Sequence, residues 1–344
     1  MYCFNNDYSE ATHPRIMEAL LKASQEQNTG YSMDTHSQHA RELIKQEIKR
    51  DDVDIHLLVG GTQTNLLVIS SALRPHQAAI AAETGHINVH ETGAIESTGH
   101  KVLFQPSPDG KLTPSLIQKT LDFHTDEHMV QPKMVYISNS TEIGTQYTLA
   151  ELEALSGYCH EKNLYLFLDG ARLGAALTSE INDLTMADIA RLTDVFYIGG
   201  TKNGALFGEA LVITHPDLKP DFRYMMKQKG AMLAKGFLLG IQFEELFQNN
   251  LLYDMAAHSN KMAAILKKAF LECSIPLDSD SSTNQQFPIL SNSLIAKLRE
   301  NYQFQDIGPY DETHTIVRFV TSWATREEAI HQFVQDFKAL LNTI

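Results

Sequence analysis

Short apolar runs recur along this chain at intervals that leave room for a helix between them. HLLVGG occupies 56–61, AAIAA 78–82, MVYIS 134–138, LYLFLD 164–169 and DVFYIGG 194–200, and EALVIT (209–214) follows within hairpin range. Such unbroken runs fit strands covered on both faces, since a strand with one wet face alternates polar and apolar residues. The intervening segments carry helix signals. Pro14 stands at a first helical position, with Ile16, Met17, Leu20 and Leu21 on one face. Ala40, Leu43, Ile44 and Ile48 form a second stripe, and TNLLVISSAL after residue 63 has helical length. Thr113-Pro114 opens a helix through SLIQKTLDF, and Thr148 with Glu151 has capping-box spacing ahead of a helix to about Lys162. The alternation predicts an α/β chain with a parallel or mostly parallel sheet.

Past residue 215 the texture changes. FRYMMKQKGAMLAKGFLLGIQFEELF reads as helix with a glycine-broken middle, and a helix around 252–272 follows. The polar stretch DSDSSTNQQ (278–286) reads as a surface loop. TIVRFV (315–320) reads as a strand, and Thr325 with Glu328 as a second capping box. Ile330, Phe333, Val334, Phe337, Leu340 and Leu341 then form a helical stripe. With 344 residues, at roughly 100–200 per domain, two domains are expected. We place a large one at 1–245, including the N-terminal segment, and a small C-terminal one at 246–344.

Charge and cysteine content narrow the function classes. Lys and Arg number 28 against 42 Asp and Glu, a net charge of −14. No basic cluster is present, so nucleic acid is an unsuitable partner. No uncharged apolar run approaches ~18 residues, so no membrane span is expected. Cys3, Cys159 and Cys273 are too far apart in sequence for a metal or redox pair, which fits a reducing compartment. MYCFNNDYSE shows no basic segment leading into an apolar stretch, so the cytoplasm is the expected location.

In parallel sheets ligands bind beyond the carboxyl ends of the strands. That rule selects Gly61-Thr62, His86, Asp169 and Lys202. A lysine among glycines after a buried strand has no apolar surface for its stem to cover, and burial would lower its pKa, as a Schiff-base lysine requires; a plain loop lysine is the bland alternative. Asp169 ends its strand, where a carboxylate can hold a ligand nitrogen or simply cap a loop. Gly60–Asn65 opens a helix after a strand, a place suited to a phosphate, yet it lacks both the P-loop and the dinucleotide pattern. His86 follows the run at 78–82, where its ring can stack on a cofactor, and Glu91 can orient it or assist a proton transfer. Arg318, inside an apolar strand, needs an anionic partner: a substrate carboxylate or an internal salt bridge. Trp323, the single tryptophan, reads as packing.

At these residues the chain resembles the low-specificity L-threonine aldolases, members of the β-eliminating lyase group of pyridoxal-phosphate enzymes. GGTQTN, ETGHINVHETGA, LDGARLG, GGTKNGALFGEA and VRFVTSW occur in that family's order, and NDYSEATHP is similar to its N-terminal segment. The resemblance implies an aspartate-aminotransferase-like fold (fold type I) with a mostly parallel central sheet and a smaller C-terminal α/β domain. It implies pyridoxal phosphate as cofactor, no metal, and retro-aldol cleavage of threonine-like β-hydroxy-α-amino acids to glycine and an aldehyde. The alternative is another lyase on this fold, acting by β-elimination, or an aminotransferase. By resemblance, Lys202 forms the Schiff base, Asp169 meets the pyridine nitrogen, and His86 stacks on the ring. Arg172, Gly61, Thr62 and Thr201 complete the cofactor set, and Arg318 receives the substrate carboxylate. Asn6, Asp7, Ser9 and Glu91 are further near-site candidates. The family also implies a homo-oligomer, a tetramer or a dimer, with Tyr31 and Lys235 as cross-subunit candidates. Two departures stand out: Leu233 where many members have an arginine near the phosphate, with Lys227 or Lys235 as substitutes, and Ser322 where some have a histidine.

Overall fold

The computed structural model describes residues 1–342. Its main sheet has seven strands in the spatial order Asp54–Leu58, Glu209–Ile213, Val195–Gly199, Tyr165–Asp169, Gln131–Ser138, Gln77–Ala82 and Val102–Gln105. All run in one direction except Glu209–Ile213, which is antiparallel to both neighbours. That reversal follows from the short link 200–208, which permits a hairpin return and no crossover. The edge strand Val102–Gln105 carried no clear sequence signal, being four residues long with Phe104 half exposed.

Alternate residues of each strand feed two cores, as the pleat dictates. Phe196 and Ile198 join one cluster with Ile16, Ile44, Leu152, Ile189 and Phe243 from the helices on that face. Val195 and Tyr197 join the other, with Leu67 from Gly61–Ala72 and Phe222 from Phe222–Gln228. The Thr148–Glu151 capping box is formed. Helix Phe222–Gln228 is separated from helix Phe237–Phe247 at the glycine-rich break. Met17 and Leu21, read as part of an apolar face, stay exposed.

The C-terminal part builds a second sheet from Ile289–Ser291, His314–Val320 and Gln305–Pro309, all antiparallel. Helices Leu251–Glu272 and Glu327–Leu341 pack on it through Phe270, Phe319, Phe333 and Phe337. The first residues of the chain belong to this packing: Tyr2–Cys3 pairs in parallel with Tyr302–Gln303, and Phe4 is fully buried among those aromatics.

Two expectations are overturned here. The polar stretch 278–286 is no surface loop. Ser281, Asn284, Gln285 and Gln286 are buried, and Gln285–Gln286 pairs with Phe319–Val320. Thr325 and Glu328 form no capping box either. Helix Glu327–Leu341 is preceded by Arg326 with no side-chain cap, because the Thr325 hydroxyl accepts the Ser322 N–H at 2.8 Å instead.

Candidate active site

A cavity of about 320 Å³ lies beyond the carboxyl ends of the central strands, within the ordinary range for small-ligand sites. Asp169 forms part of its floor. Its Oδ1 accepts the Tyr197 hydroxyl at 2.5 Å and the Ala171 N–H at 3.0 Å. Its Oδ2 accepts the Tyr136 hydroxyl at 2.5 Å and the Asn65 amide at 3.2 Å. Tyr136 shares the Asp169 face because Ser138 pairs with Asp169 and Tyr136 lies two residues back. Burial works to raise the Asp169 pKa, but the nearby His86 imidazole and these donors outweigh it and hold the carboxyl below its ordinary value. Gly170 is needed next to it: a Cβ there would lie 1.9 Å from the Tyr197 carbonyl oxygen.

Lys202 enters the same cavity from the turn after Val195–Gly199. Among the described residues its amine makes no hydrogen bond or ion pair. Burial lowers its pKa, Arg172 lowers it further, and Asp7, Asp169 and Glu209 oppose the shift. Beside it, Thr201 Oγ1 donates to Glu209 Oε1 at 2.9 Å and accepts the Gly208 N–H at 3.0 Å. Gly61 and Thr62 line the wall at the start of helix Gly61–Ala72. That helix has Gly60 at its N-cap and no capping side chain, so its first N–H groups are available to an anion.

His86 also faces the cavity. Its Nδ1 lies 2.8 Å from Glu91 Oε1, which in turn accepts the Asn65 amide at 2.7 Å. A hydrogen-bonded chain His86–Glu91–Asn65–Asp169 therefore ties the imidazole to the floor. Glu91 stands behind His86 and does not line the cavity. The His86 main-chain N–H donates to Glu142 Oε1 at 3.0 Å, which also accepts the Ser138 hydroxyl at 2.7 Å.

The arginines are held differently. Arg172 lines the cavity but grips Asp7 with two bonds, 2.7 and 3.0 Å, and Asn284 donates to the same carboxylate at 2.9 Å. Among the described residues Arg318 has no carboxylate partner, so no internal salt bridge is found there. Its Nη1 donates to Gln285 at 3.1 Å and its Nη2 to Gln305 at 2.5 Å, and its buried Nε donates to nothing. Burial and Arg172 lower its pKa to about 10. Asn6 and Ser9 bond to each other at 3.0 Å and are not on the cavity wall, where their neighbour Tyr8 is. Leu233 packs on the core, the Lys227 amine sits 4.9 Å over the Tyr31 ring, and Lys235 is exposed, so none of the three reaches the cavity wall. Ser322 is buried and donates to Glu10 at 3.2 Å.

The sequence reading missed Tyr136, Tyr197, Glu142, Glu209 and the Asn284–Gln285 pair. The tyrosines were absorbed into apolar runs. A hydroxyl two residues from a strand end was the available signal, as was a carboxylate opening the run EALVIT.

The profile of the β-eliminating lyase family matches residues 8–293. The chain is 29% identical to a low specificity L-threonine aldolase of Pseudomonas sp. (strain NCIMB 10558), covering 98% of both proteins. It is 28% identical to a low-specificity L-threonine aldolase of Eremothecium gossypii, over 68% of this chain and 62% of that protein. It superposes on the Leishmania major threonine aldolase structure with a TM-score of 0.98 at 53% identity, covering 99% of each chain. A Thermus thermophilus aspartate aminotransferase double mutant shares the fold, with a TM-score of 0.73 at 14% identity over 98% and 91% of the two chains.

Proposed function

This chain belongs to the β-eliminating lyase family and groups there with the threonine aldolases, and from that premise we propose that it cleaves L-threonine, L-allo-threonine and related β-hydroxy-α-amino acids to glycine and an aldehyde, using pyridoxal phosphate held in the cavity. One observation carries the reading. A single cavity joins an unbonded amine at Lys202, a carboxylate kept ionised at Asp169, and an uncapped helix start at Gly61 and Thr62. These three suit the aldehyde, ring nitrogen and phosphate of the cofactor, so the residues present fit it. When bound, pyridoxal phosphate supplies a ring that takes up the electron pair released as the substrate Cα–Cβ bond breaks.

The chain's own groups do the rest. The lowered pKa of Lys202 keeps more of its amine neutral and nucleophilic. Asp169 holds a proton on the ring nitrogen. Arg318 takes the substrate carboxylate, for which its unpaired Nε and lack of a counter-ion leave it suited. Nδ1–H of His86 donates to Glu91, which leaves Nε2 with a free lone pair. Nε2, directly or through a water, accepts the β-hydroxyl proton, a step worth ~10²–10⁴-fold. Arg172, braced by Asp7, and Thr201 complete the cofactor's surroundings. Met33 and Tyr224 are exposed large side chains, which supports a homo-oligomer, with a tetramer as our reading. Among the described residues no helix is long and apolar enough to cross a membrane, and we place the enzyme in the cytoplasm.

The deciding assay incubates the protein and pyridoxal phosphate with L-threonine and L-allo-threonine. Glycine and acetaldehyde are expected; pyruvate and ammonia from serine, with no aldehyde from threonine, would replace this reading with β-elimination. Lys202→Ala should abolish covalent capture of the cofactor after borohydride reduction, read by mass spectrometry.

A further inference from the structure

We infer that Glu209 is a neutral-acid member of the phosphate cradle, so that this cavity loses affinity for a phosphorylated ligand when Glu209 gives up its proton. The inference rests on the reading that the cavity holds pyridoxal phosphate.

The placement comes from strand register. Glu209 pairs with Leu58 on one side and Gly199 on the other. It therefore sits between the strand that leads into Gly60-Gly61 and the strand that leads into Lys202. Its side chain lines the cavity with Gly60, Gly61 and Thr62, and only 4% of the residue is exposed. Its carboxyl accepts the Thr201 hydroxyl at 2.9 Å and the Gly200 N–H at 3.1 Å. Among the described residues no cation lies within ion-pair distance of it.

This end of the cavity is otherwise built for an anion, from helix N–H groups and a hydroxyl. Arg172, the guanidinium on the cavity wall, is committed to Asp7. A carboxylate beside a phosphate dianion would repel it strongly in so buried a place. The two coexist when the carboxyl keeps its proton, and a carboxylic acid can then donate to a phosphate oxygen. The charged and titratable groups around Glu209 are Lys202 from the adjoining turn, Asp169 and Tyr197 from neighbouring strands, and His86, Arg172, Glu142 and Tyr8 elsewhere on the cavity wall. Burial pushes the Glu209 pKa up to about 8, against the pull of Thr201, Lys202 and the Gly200 N–H, with Asp169 adding to the rise. A bound phosphate would raise it further. The sign follows: affinity is full while Glu209 is protonated and falls as pH rises past its pKa, by about tenfold per pH unit.

The test measures binding of pyridoxine phosphate to the apoenzyme across the neutral and alkaline range. This ligand lacks the aldehyde, so capture by Lys202 does not intrude. Glu209→Gln is neutral at every pH and keeps a donor. The expected result is that the alkaline loss of affinity in Glu209→Gln is shallower than in the wild type by one proton, about one tenfold step per pH unit. With pyridoxine, which has no phosphate, the two proteins should show equal slopes. Equal slopes with pyridoxine phosphate would overturn the inference and leave the cofactor reading intact. A slope difference that persists with pyridoxine would also overturn it, by placing Glu209 elsewhere than at the phosphate. Failure of the wild type to bind any of these ligands, or pyridoxal phosphate, would instead overturn the cofactor reading on which it rests. Were Glu209→Gln to misfold, Glu209→Ala, equally neutral at every pH, takes its place in the same comparison: a shallower loss than wild type for pyridoxine phosphate alone supports the inference, and equal slopes reject it.

Discussion

Asp169 receives four donors, from Tyr136, Tyr197, Asn65 and Ala171. Arg318 meets two neutral amide oxygens, from Gln285 and Gln305, and its Nε is buried without a partner. Both groups are charged and largely withdrawn from water. One is well supplied with partners by the protein and the other is left short. That supply fixes Asp169 in place and in its ionised state before any ligand arrives. Shortage leaves Arg318 with unmet demand that, on the function proposed above, an incoming carboxylate would satisfy. On that proposal the difference separates a group that must be ready from a group that must recognise, and it can be tested from both sides.

The largest effect is expected at the well-supplied group. Asp169→Asn keeps the shape but replaces an acceptor oxygen with an amide N–H₂. One hydroxyl that now donates to Asp169 loses its acceptor, at a cost of about 1–3 kcal/mol in stability. Turnover should fall at least about 10²-fold. Urea unfolding and glycine release measure the two; unchanged stability would break the claim that these donors matter here.

Arg318→Met should behave in the opposite sense. KM for threonine should rise about tenfold to a hundredfold, the equivalent of about 1.5–3 kcal/mol for a charged hydrogen bond, with a smaller change in kcat. The unfolding midpoint should hold or rise, since a buried cation without a counter-ion is replaced by an apolar chain of similar length. A large drop in the midpoint would mean that the two amides already satisfy the guanidinium.

A smaller change makes the short side resemble the well-supplied one. Gln285→Glu supplies Arg318 with an internal counter-ion and removes the buried, unpartnered Gln285 Nε2. Stability should rise, and KM should increase by up to about tenfold as the new carboxylate competes with the substrate's. A lower KM would contradict the role assigned to Arg318.

The smallest effect lies outside the site, at another doubly engaged group. His36 places Nδ1 2.7 Å from Glu244 and Nε2 2.8 Å from Glu26. Burial lowers its pKa, but the two carboxylates outweigh that and leave it raised. Its contribution is therefore complete below the unfolded value of about 6.5 and is lost as pH rises through the higher folded value. Partial exposure keeps the effect small. The urea midpoint of the wild type should decline across that window more than that of His36→Gln; parallel curves would remove His36 from the account.

Much of this was legible along the chain. The apolar runs marked the central strands, and the rule that ligands bind at strand ends selected Lys202, Asp169, His86 and Gly61 before a fold was known. Local signals with one strong competitor at most, such as Pro14 and the Thr148–Glu151 box, read correctly. The Thr325–Glu328 box failed because Ser322, three residues upstream, took the hydroxyl. Residues 278–286 failed for a different reason. Polarity is ordinarily a sign of exposure, but here the polar groups are buried because Asn284 braces Asp7 and Gln285 meets Arg318.

What the sequence alone determined is the order of most central strands and of the helices between them, the acidic character of the chain, and the residue types at the strand ends, because periodicity and capping act over a few neighbouring positions. What only the tertiary structure decided is the protonation and partnership of those residues. Asp169 stays ionised, Glu209 is pushed toward its acid form, and Arg318 meets only neutral amide oxygens among the described residues. Those states depend on desolvation and on donors brought from strands and loops far apart in the chain, and folding alone sets such distances.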